Sequence, residues 1–243
     1  MTPYEDKTFK DTLQEEKNKL KTMNLKDRLW YIWEYYKLPI IGTVVAVTLI
    51  ISIFSAVRSN SFETALSCVI LNSHTTSQED LAGEYFDQGF RQYLGLTDDT
   101  KIDVDHSMTV SFDNSDMTEF TYAELAKLSA LITSKELDVM IGRKDSIDHF
   151  GEMGGFLDLK QALPPDVYEK VKDQLYEVTN QETGETIACG IRIGSTDFLK
   201  KTGLDIEDPI LGIISNSTRT DNAEKLIRYV FGMQAENPDS PKV

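Results

Sequence analysis

The sequence predicts an α/β protein that combines a membrane-anchoring N-terminal part with one layered external domain. The first observation is a stretch of twenty uncharged, mostly apolar residues at 38–57, which is long enough for a transmembrane helix. The second is an alternation of strand-like and helix-like segments from residue 65 onward, which predicts a three-layer domain on a mixed, mostly parallel sheet. The length of 243 residues suits one such domain with additional segments.

The transmembrane prediction rests on the segment LPIIGTVVAVTLIISIFSAV, from Leu38 to Val57. At about 1.5 Å per residue, a helix of this length covers roughly 30 Å, the thickness of the hydrocarbon core of a bilayer. The nearest charges are Lys37 and Arg58, and Pro39 lies at the start, where a helix tolerates proline. The alternative is a buried core helix, which is usually shorter and has a polar stripe.

The orientation of this segment is predicted from the basic residues around it. Only Arg58 follows it closely, whereas the preceding side contains Lys17, Lys19, Lys21, Lys26, Arg28 and Lys37. The positive-inside rule therefore predicts a single-pass plasma-membrane protein with a cytoplasmic N-terminus and with residues 59–243 extracytoplasmic. The alternative is a cleaved signal peptide, although a charged leader of 37 residues is far longer than such peptides usually have.

The apolar stretch divides the rest of the chain into predicted segments. Before it we expect a charged cytoplasmic segment at 1–23 and an amphipathic interfacial helix at 24–37; after it, a connector at 58–64, a domain at 65–232 and a flexible tail at 233–243. The interfacial helix contains the aromatic residues that typically lie at lipid headgroups. The residues predicted to contact the membrane interface are Trp30, Tyr31, Trp33, Tyr35, Tyr36 and Lys37. The lipid bilayer is therefore a predicted partner, and docking of another membrane subunit is the alternative.

The charge distribution excludes one class of partner. The formal charge of the chain is −15, and residues 59–243 contain sixteen basic and thirty-three acidic residues, a formal charge of −17. A domain this acidic repels phosphate backbones, so nucleic-acid binding is not expected.

Apolar runs and helical periodicity predict the order of elements in the external domain. Strands are expected at 65–71, 101–112, 137–141, 175–179, 185–193 and 209–215. Helices are expected up to residue 94 and at 121–133, 145–152, 165–174, 197–202 and 221–232. Gly95 and Gly203 follow two of these helices directly, and glycine is common just after a helix C-terminus.

The chemistry-bearing residues indicate neither a catalytic site nor a cofactor or metal site. Cys68 and Cys189 each lie in an apolar run, so we expect buried free thiols, with one bridge between them as the alternative. His74, His106 and His149 are not spaced as a zinc-ligand pair. A Gly-x-Ser-x-Gly elbow, a phosphate loop and a dinucleotide-binding fingerprint are all absent from the sequence. We therefore expect a non-enzymatic protein.

Three stretches resemble the first lobe of the type II periplasmic solute-binding proteins of ABC importers. They are LDVMIGRKDSIDHFGEMGGFLDLKQALP, with Asp138-Val139, Gly155 and Leu157-Asp158-Leu159 at the matching positions; ACGIRI at 188–193; and ILGIISNSTRTDNAEKLIRYVFG at 210–232. Together with the strand that opens at Ala65, the resemblance covers 65–232. The chain is also similar to membrane-anchored proteins of Gram-positive bacteria with a WxYYK-like segment before the span.

The resemblance implies a solute-binding-protein-like domain with one lobe instead of two. In that family the strand equivalent to ACGIRI leads into a second lobe of about a hundred residues. Here fewer than twenty residues separate Ile193 from Pro209. The second lobe is therefore expected to be missing or vestigial, and a single lobe does not enclose most of the surface of a small ligand, as tight sites do.

A ligand site is predicted at the carboxyl ends of the strands, where α/β sheets bind their ligands. After the first strand this rule nominates Asn72, Ser73, Thr75 and Thr76, and after the third strand it nominates Arg143 and Lys144. The alternative is that these residues cap a helix and solvate a turn.

The sequence thus predicts a single-pass membrane protein that presents a non-catalytic binding domain outside the cell. Its expected partner is a membrane or envelope protein, such as an ABC transporter, or a small-molecule ligand. The alternative is a scaffold subunit that acts through its interfacial and transmembrane helices. An envelope hydrolase with an unrecognised site is a more distant alternative.

Overall fold

The computed structural model describes residues 14, 17, 18, 24–59, 63–77, 79–112 and 118–235. The chain divides into two compact units, Met1–Ser61 and Phe62–Val243. The described part of the first unit is mainly one helix, and the second unit is an α/β domain. Most of the predicted segment 1–23, residues 60–62 of the predicted connector and residues 236–243 of the predicted tail lie outside the described residues.

The first unit contains helix α1, Leu25–Ser59, which is continuous over 35 residues. It includes both the predicted interfacial helix and the segment 38–57, so the helical part of these predictions is confirmed. Trp30 and Trp33 are 66% and 61% exposed, and Lys37 is exposed as well. The side chains of Tyr31, Tyr35 and Tyr36 are outside the described set.

The membrane-spanning part of the prediction for 38–57 has no support in the structure. Among the described residues, no helix has the length and apolar character that crossing a membrane requires. Residues 41–52 are all exposed, and the side chains at 38–40, 53–54 and 56–57 are not described.

The α/β domain is built on a six-stranded mixed sheet and a small two-stranded one. The strands are β1 Glu63–Ile70, β2 His74–Thr75, β3 Thr100–Asp105, β4 Val139–Gly142, β5 Leu175–Thr179, β6 Thr186–Arg192, β7 Leu204–Asp205 and β8 Ile210–Ile213. The large sheet has the order β3-β1-β4-β8-β6-β5, and β2 pairs with β7. β3 and β4 run parallel to β1, whereas β8 is antiparallel to both β4 and β6, and β5 is antiparallel to β6. Four strands (β1, β3, β4 and β6) thus point the same way, as predicted for a mixed, mostly parallel sheet.

Helices cover both faces of the sheet. They are α2 (Leu81–Gly83, π-helical Glu84–Phe90 and Arg91–Leu94), α3 Glu119–Thr133, α4 Lys144–Glu152, α5 Leu159–Ala162, α6 Pro165–Val171, α7 Phe198–Thr202 and α8 Thr220–Val230. On β1, Leu66, Cys68 and Ile70 pack into the core shared with α2, α6 and α8. Val69 and Leu71 pack into the other core, with α3 and α4. This alternation along a strand confirms the predicted three-layer α/β architecture.

One local prediction needs correction, and one strand pairing was not predicted. The second strand, expected at 101–112, ends at Asp105, because residues 106–110 leave the sheet to bond with residues beyond β1. The pairing of β2 with β7 was not predicted, since strands of two residues leave no periodic signal. Gly95 and Gly203 end α2 and α7 with φ values of 65° and 63°, as predicted.

The two cysteines are free and buried, which confirms the prediction of free thiols. Cys68 lies in one core and Cys189 in the other, so the alternative of a bridge is wrong. Burial raises the pKa of the Cys189 thiol to about 12. Both thiols therefore behave as small apolar side chains of the core.

Candidate functional site at the carboxyl edge of the sheet

The carboxyl edge of the sheet is the side on which β1, β4 and β6 end and on which β5 and β8 begin. β1 and β4 are parallel neighbours, so the residues that follow them emerge at the same edge. Arg192, the last residue of β6, pairs with Ile210 at the start of β8. This edge contains all six residues that the sequence nominated as ligand-binding.

The first nominated residues, Asn72 and Ser73, are occupied by structural hydrogen bonds. Asn72 has a φ of 55°, and its backbone N–H donates to the carbonyl of Met108 across 3.0 Å. Its side-chain amide donates to the Val110 carbonyl at 3.0 Å and accepts from the Val110 N–H at 2.8 Å. The Ser73 hydroxyl donates to the carbonyl of His106 at 2.8 Å. These side chains therefore hold residues 106–110 against the end of β1.

Thr75 and Thr76 are occupied by a different part of the chain. Thr75 lies opposite Leu204 in the pairing of β2 with β7. Both the backbone N–H and the hydroxyl of Thr76 donate to the carbonyl of Gly203, at 2.9 and 2.7 Å. Residues 194–209, which connect β6 to β8, thus fold back over the end of β1; we call them the crossover segment.

The crossover segment is firmly packed into the domain. Phe198, Leu204 and Ile206 are 1%, 3% and 4% exposed, and the Phe198 ring contacts the rings of Tyr85 and Phe86 edge-on. Ile193, which directly precedes the segment, donates its N–H to the carbonyl of Pro209, the last residue of the segment, at 2.9 Å. The part of the carboxyl edge that follows β1 is therefore covered by the protein itself.

Arg143 and Lys144 remain accessible and belong to a larger group of charges. Arg143 donates to the Asp145 carboxylate at 2.7 Å, and Lys144 is paired with Asp148. Asp148 also accepts a hydrogen bond from the hydroxyl of Tyr176. We call the group formed by Arg143, Lys144, Asp145, Asp148, Tyr176, Arg192 and Asp208 the edge cluster.

The aromatic ring of Tyr176 lies at the centre of the edge cluster. The Arg192 guanidinium carbon lies 4.7 Å from the ring centroid, and the Lys144 ammonium lies 5.7 Å from it, both within the range of cation–π attraction. Arg192 is also paired with Asp208. Direct contacts therefore link Lys144, Asp148, Tyr176, Arg192 and Asp208, whereas Arg143 and Asp145 form a pair of their own.

Burial and hydrogen bonding shift the pKa values of three groups in the edge cluster, Asp145, Arg143 and Tyr176. Burial alone would raise the pKa of Asp145. The hydrogen bonds from Arg143 and from the Ser146 N–H lower this pKa and outweigh the effect of burial, so the net shift is downward. The hydrogen bond with Asp145 raises the pKa of Arg143. Burial and the bond to Asp148 raise the pKa of Tyr176. Arg143 and Asp145 therefore stay charged near neutral pH, and Tyr176 keeps its proton.

The nominated residues do not converge on an enclosed pocket. A cavity of about 220 Å³ lies between α2 and β3, and a cleft of about 500 Å³ lies at the start of β1 and β3; neither is lined by a nominated residue. Within the part of the chain that the structure describes, no group of three or more His, Cys, Asp or Glu side chains is placed to hold a metal ion.

The sequence nominated only Arg143 and Lys144 of the edge cluster and missed Asp145, Asp148, Tyr176, Arg192 and Asp208. Arg192 could have been predicted, because it is the last residue of a buried strand and lies at the same edge as Arg143, where α/β sheets bind their ligands. Tyr176 and Asp208 gave no such signal, since they reach the cluster from the start of β5 and from the crossover segment.

No protein-family model, curated protein or solved structure matches this chain. The resemblance to solute-binding proteins stays a prediction.

Proposed function

We propose that this chain is a membrane-anchored, non-catalytic binding protein whose extracytoplasmic α/β domain recognises a protein partner through the edge cluster. The observation that supports this proposal most directly is the position of the crossover segment. It covers the end of β1, where a small ligand would otherwise bind, and leaves an open surface of charged and aromatic side chains beside it.

The composition of the edge cluster suits a protein partner better than a small molecule. Arginine and tyrosine are enriched among the residues that dominate protein–protein binding energy, and Arg192 stacks on Tyr176 here. Small-molecule sites are enclosed and mostly apolar, whereas the side chains of Arg143, Lys144 and Asp208 are 44%, 66% and 54% exposed. The ion pairs of the cluster are formed in advance, so a partner with the complementary charge pattern loses little side-chain entropy on binding.

The membrane-anchoring part of the proposal rests on the sequence of α1. Its segment 38–57 is uncharged and is preceded by tryptophan, tyrosine and lysine residues, the pattern of a membrane interface. The exposed rings of Trp30 and Trp33 also favour a second candidate function, a scaffold subunit that acts through α1 alone. Replacing residues 24–59 with an unrelated anchor distinguishes the two candidates. The protein loses its function if it acts as a scaffold through α1, and keeps its function if it acts through the edge cluster.

Site-specific photo-crosslinking in membranes tests the edge cluster. A photoreactive amino acid replaces Lys144 in the full-length chain, and the matched control carries it at Lys160, an exposed, ion-paired lysine outside the cluster. We expect a discrete protein adduct from position 144 that the second change Arg192→Glu abolishes, and no such adduct from position 160. Equal adducts from both positions, or an adduct that survives Arg192→Glu, would overturn the proposal.

A further inference from the structure

A second surface of the α/β domain has the features of a binding site. It is the cleft of about 500 Å³ at the amino-terminal edge of β1 and β3, the opposite edge from the edge cluster. Polar side chains from three parts of the chain line it: Glu63, Thr64, Thr100, Thr218, Arg219 and Asn222. Nothing in the edge-cluster function requires this cleft.

Arg219 is held rigidly at the wall of the cleft. Its Nε donates to the Asp138 carboxylate at 2.7 Å, and its Nη2 donates to the Glu136 carbonyl at 2.8 Å. Asp138 is fully buried and is itself fixed by the Ser67 N–H at 2.8 Å and the Ser217 hydroxyl at 2.6 Å. Nη1 donates to no other described residue, which leaves part of the guanidinium fork for a ligand.

Three threonines line the same cleft as this arginine. These threonines are Thr64, Thr100 and Thr218, and none of their hydroxyls bonds to another residue in the described part of the domain. A pinned guanidinium with several unused hydroxyls is a donor-rich site. A carboxylate ligand has only two oxygens, which lie in one plane, and these cannot accept from all of the donors. The terminal oxygens of a phosphate group accept hydrogen bonds from several directions and therefore suit this cleft better.

We propose that the amino-edge cleft binds a phosphate monoester, with Arg219 and the three threonine hydroxyls contacting the phosphate oxygens. The cleft is larger than a phosphate ion, so the ester substituent occupies the remaining space beside Ala65 and Leu96. Glu63 at the rim repels the anion, and Asp138 already compensates the charge of Arg219. Binding is therefore weak for free phosphate and decreases with added salt.

Isothermal titration of the full-length chain in detergent micelles tests this site. The probes are inorganic phosphate and glycerol 3-phosphate, so that the phosphate group and its substituent are measured separately. We expect both to bind, the ester more tightly, and Arg219→Lys to weaken binding about tenfold because lysine lacks the planar fork. The matched control is Arg228→Lys, at another ion-paired arginine that neither lines the cleft nor belongs to the edge cluster, and it should leave binding unchanged.

Two further variants keep the proposal testable if Arg219→Lys fails to fold. The double change Thr100→Val with Thr218→Val leaves the arginine and Asp138 intact and is expected to weaken binding severalfold. Glu63→Gln removes the repelling charge and is expected to strengthen binding. Equal affinities in the wild type and the double variant, or no heat with either probe, would overturn the site.

Discussion

The guanidinium of Arg219 donates to the carboxylate of Asp138 across 2.7 Å, and Asp138 has no exposed surface. The same carboxylate accepts from the N–H of Ser67 in β1 and from the hydroxyl of Ser217. One buried charge therefore ties together β1, the start of β4 and the turn that leads into α8. Asp138 belongs to the Asp-Val pair on which the resemblance to solute-binding proteins partly depends, and its role in this chain is structural.

We expect Asp138→Ala to lower the free energy of unfolding by about 3–5 kcal/mol, because it leaves Arg219 and two other donors without their buried acceptor. The matched control is Asp145→Ala, which removes an arginine partner that is 48% exposed and should cost at most about 1 kcal/mol. Urea unfolding followed by far-UV circular dichroism measures both. Tryptophan fluorescence does not serve, since both tryptophans lie in α1. Equal losses in the two variants would contradict the assignment.

Two substitutions at Asn72 separate its structural role from a ligand-binding role. Asn72→Ala removes the bonds to Val110 and places alanine in the left-handed region, and we expect a loss of about 2–4 kcal/mol in unfolding free energy. Asn72→Gly removes the same side-chain bonds without the strain, so the loss should be smaller, about 1–2 kcal/mol. Thermal unfolding that leaves both variants as stable as the wild type would instead favour a residue reserved for a ligand.

Close packing in the sheet makes Gly212 sensitive to one added methyl group. A Cβ atom there would lie 2.7 Å from the Phe156 ring and 2.9 Å from the carbonyl oxygen of Cys189. We expect Gly212→Ala to cost about 1–3 kcal/mol of stability in urea unfolding. The same change at Gly42 meets nothing within 4 Å and should leave the stability of the α/β domain unaltered. A Gly212→Ala protein that unfolds like the wild type would refute the packing argument.

The buried strands were predictable from the sequence because their signal is local. The apolar runs at 65–71 and 137–141 become β1 and β4, and the three-layer architecture follows from their alternation with amphipathic helices. The carboxyl-edge rule also nominated Arg143 and Lys144, which directly follow β4 and are accessible, and their role in binding stays a prediction.

The partners of these side chains were not predictable, because they come from distant parts of the chain. Thr76 bonds to Gly203, 127 residues away, and nothing in the sequence around Thr76 reveals that the crossover segment returns to it. The same holds for Asn72 and Val110, which are 38 residues apart. Residue type and strand position nominated a ligand site. In the structure, four of the six nominated residues, Asn72, Ser73, Thr75 and Thr76, are engaged in long-range contacts within the domain.

The pair formed by Asp166 and Arg228 predicts a pH dependence of stability. Arg228 is 5% exposed and donates to Asp166 through both Nη groups, at 2.5 and 3.1 Å. This hydrogen bonding lowers the pKa of Asp166 below its usual value. The pair therefore stabilises the fold fully above the pKa of the unfolded carboxyl, near 4, and the contribution is lost as the pH falls through the lower pKa of the folded state.

We expect Asp166→Asn to lower the free energy of unfolding by about 1 kcal/mol at pH 7, a value reduced for the solvent exposure of the carboxylate. The difference from the wild type should shrink as the pH falls below about 4, because the wild-type carboxyl then becomes neutral as well. Urea unfolding at a series of pH values measures this convergence. Asp173→Asn, at another exposed carboxylate, is the charge-matched control and should show a smaller difference at pH 7. A gap between the wild type and Asp166→Asn that widens in acid would contradict the assigned direction of the shift.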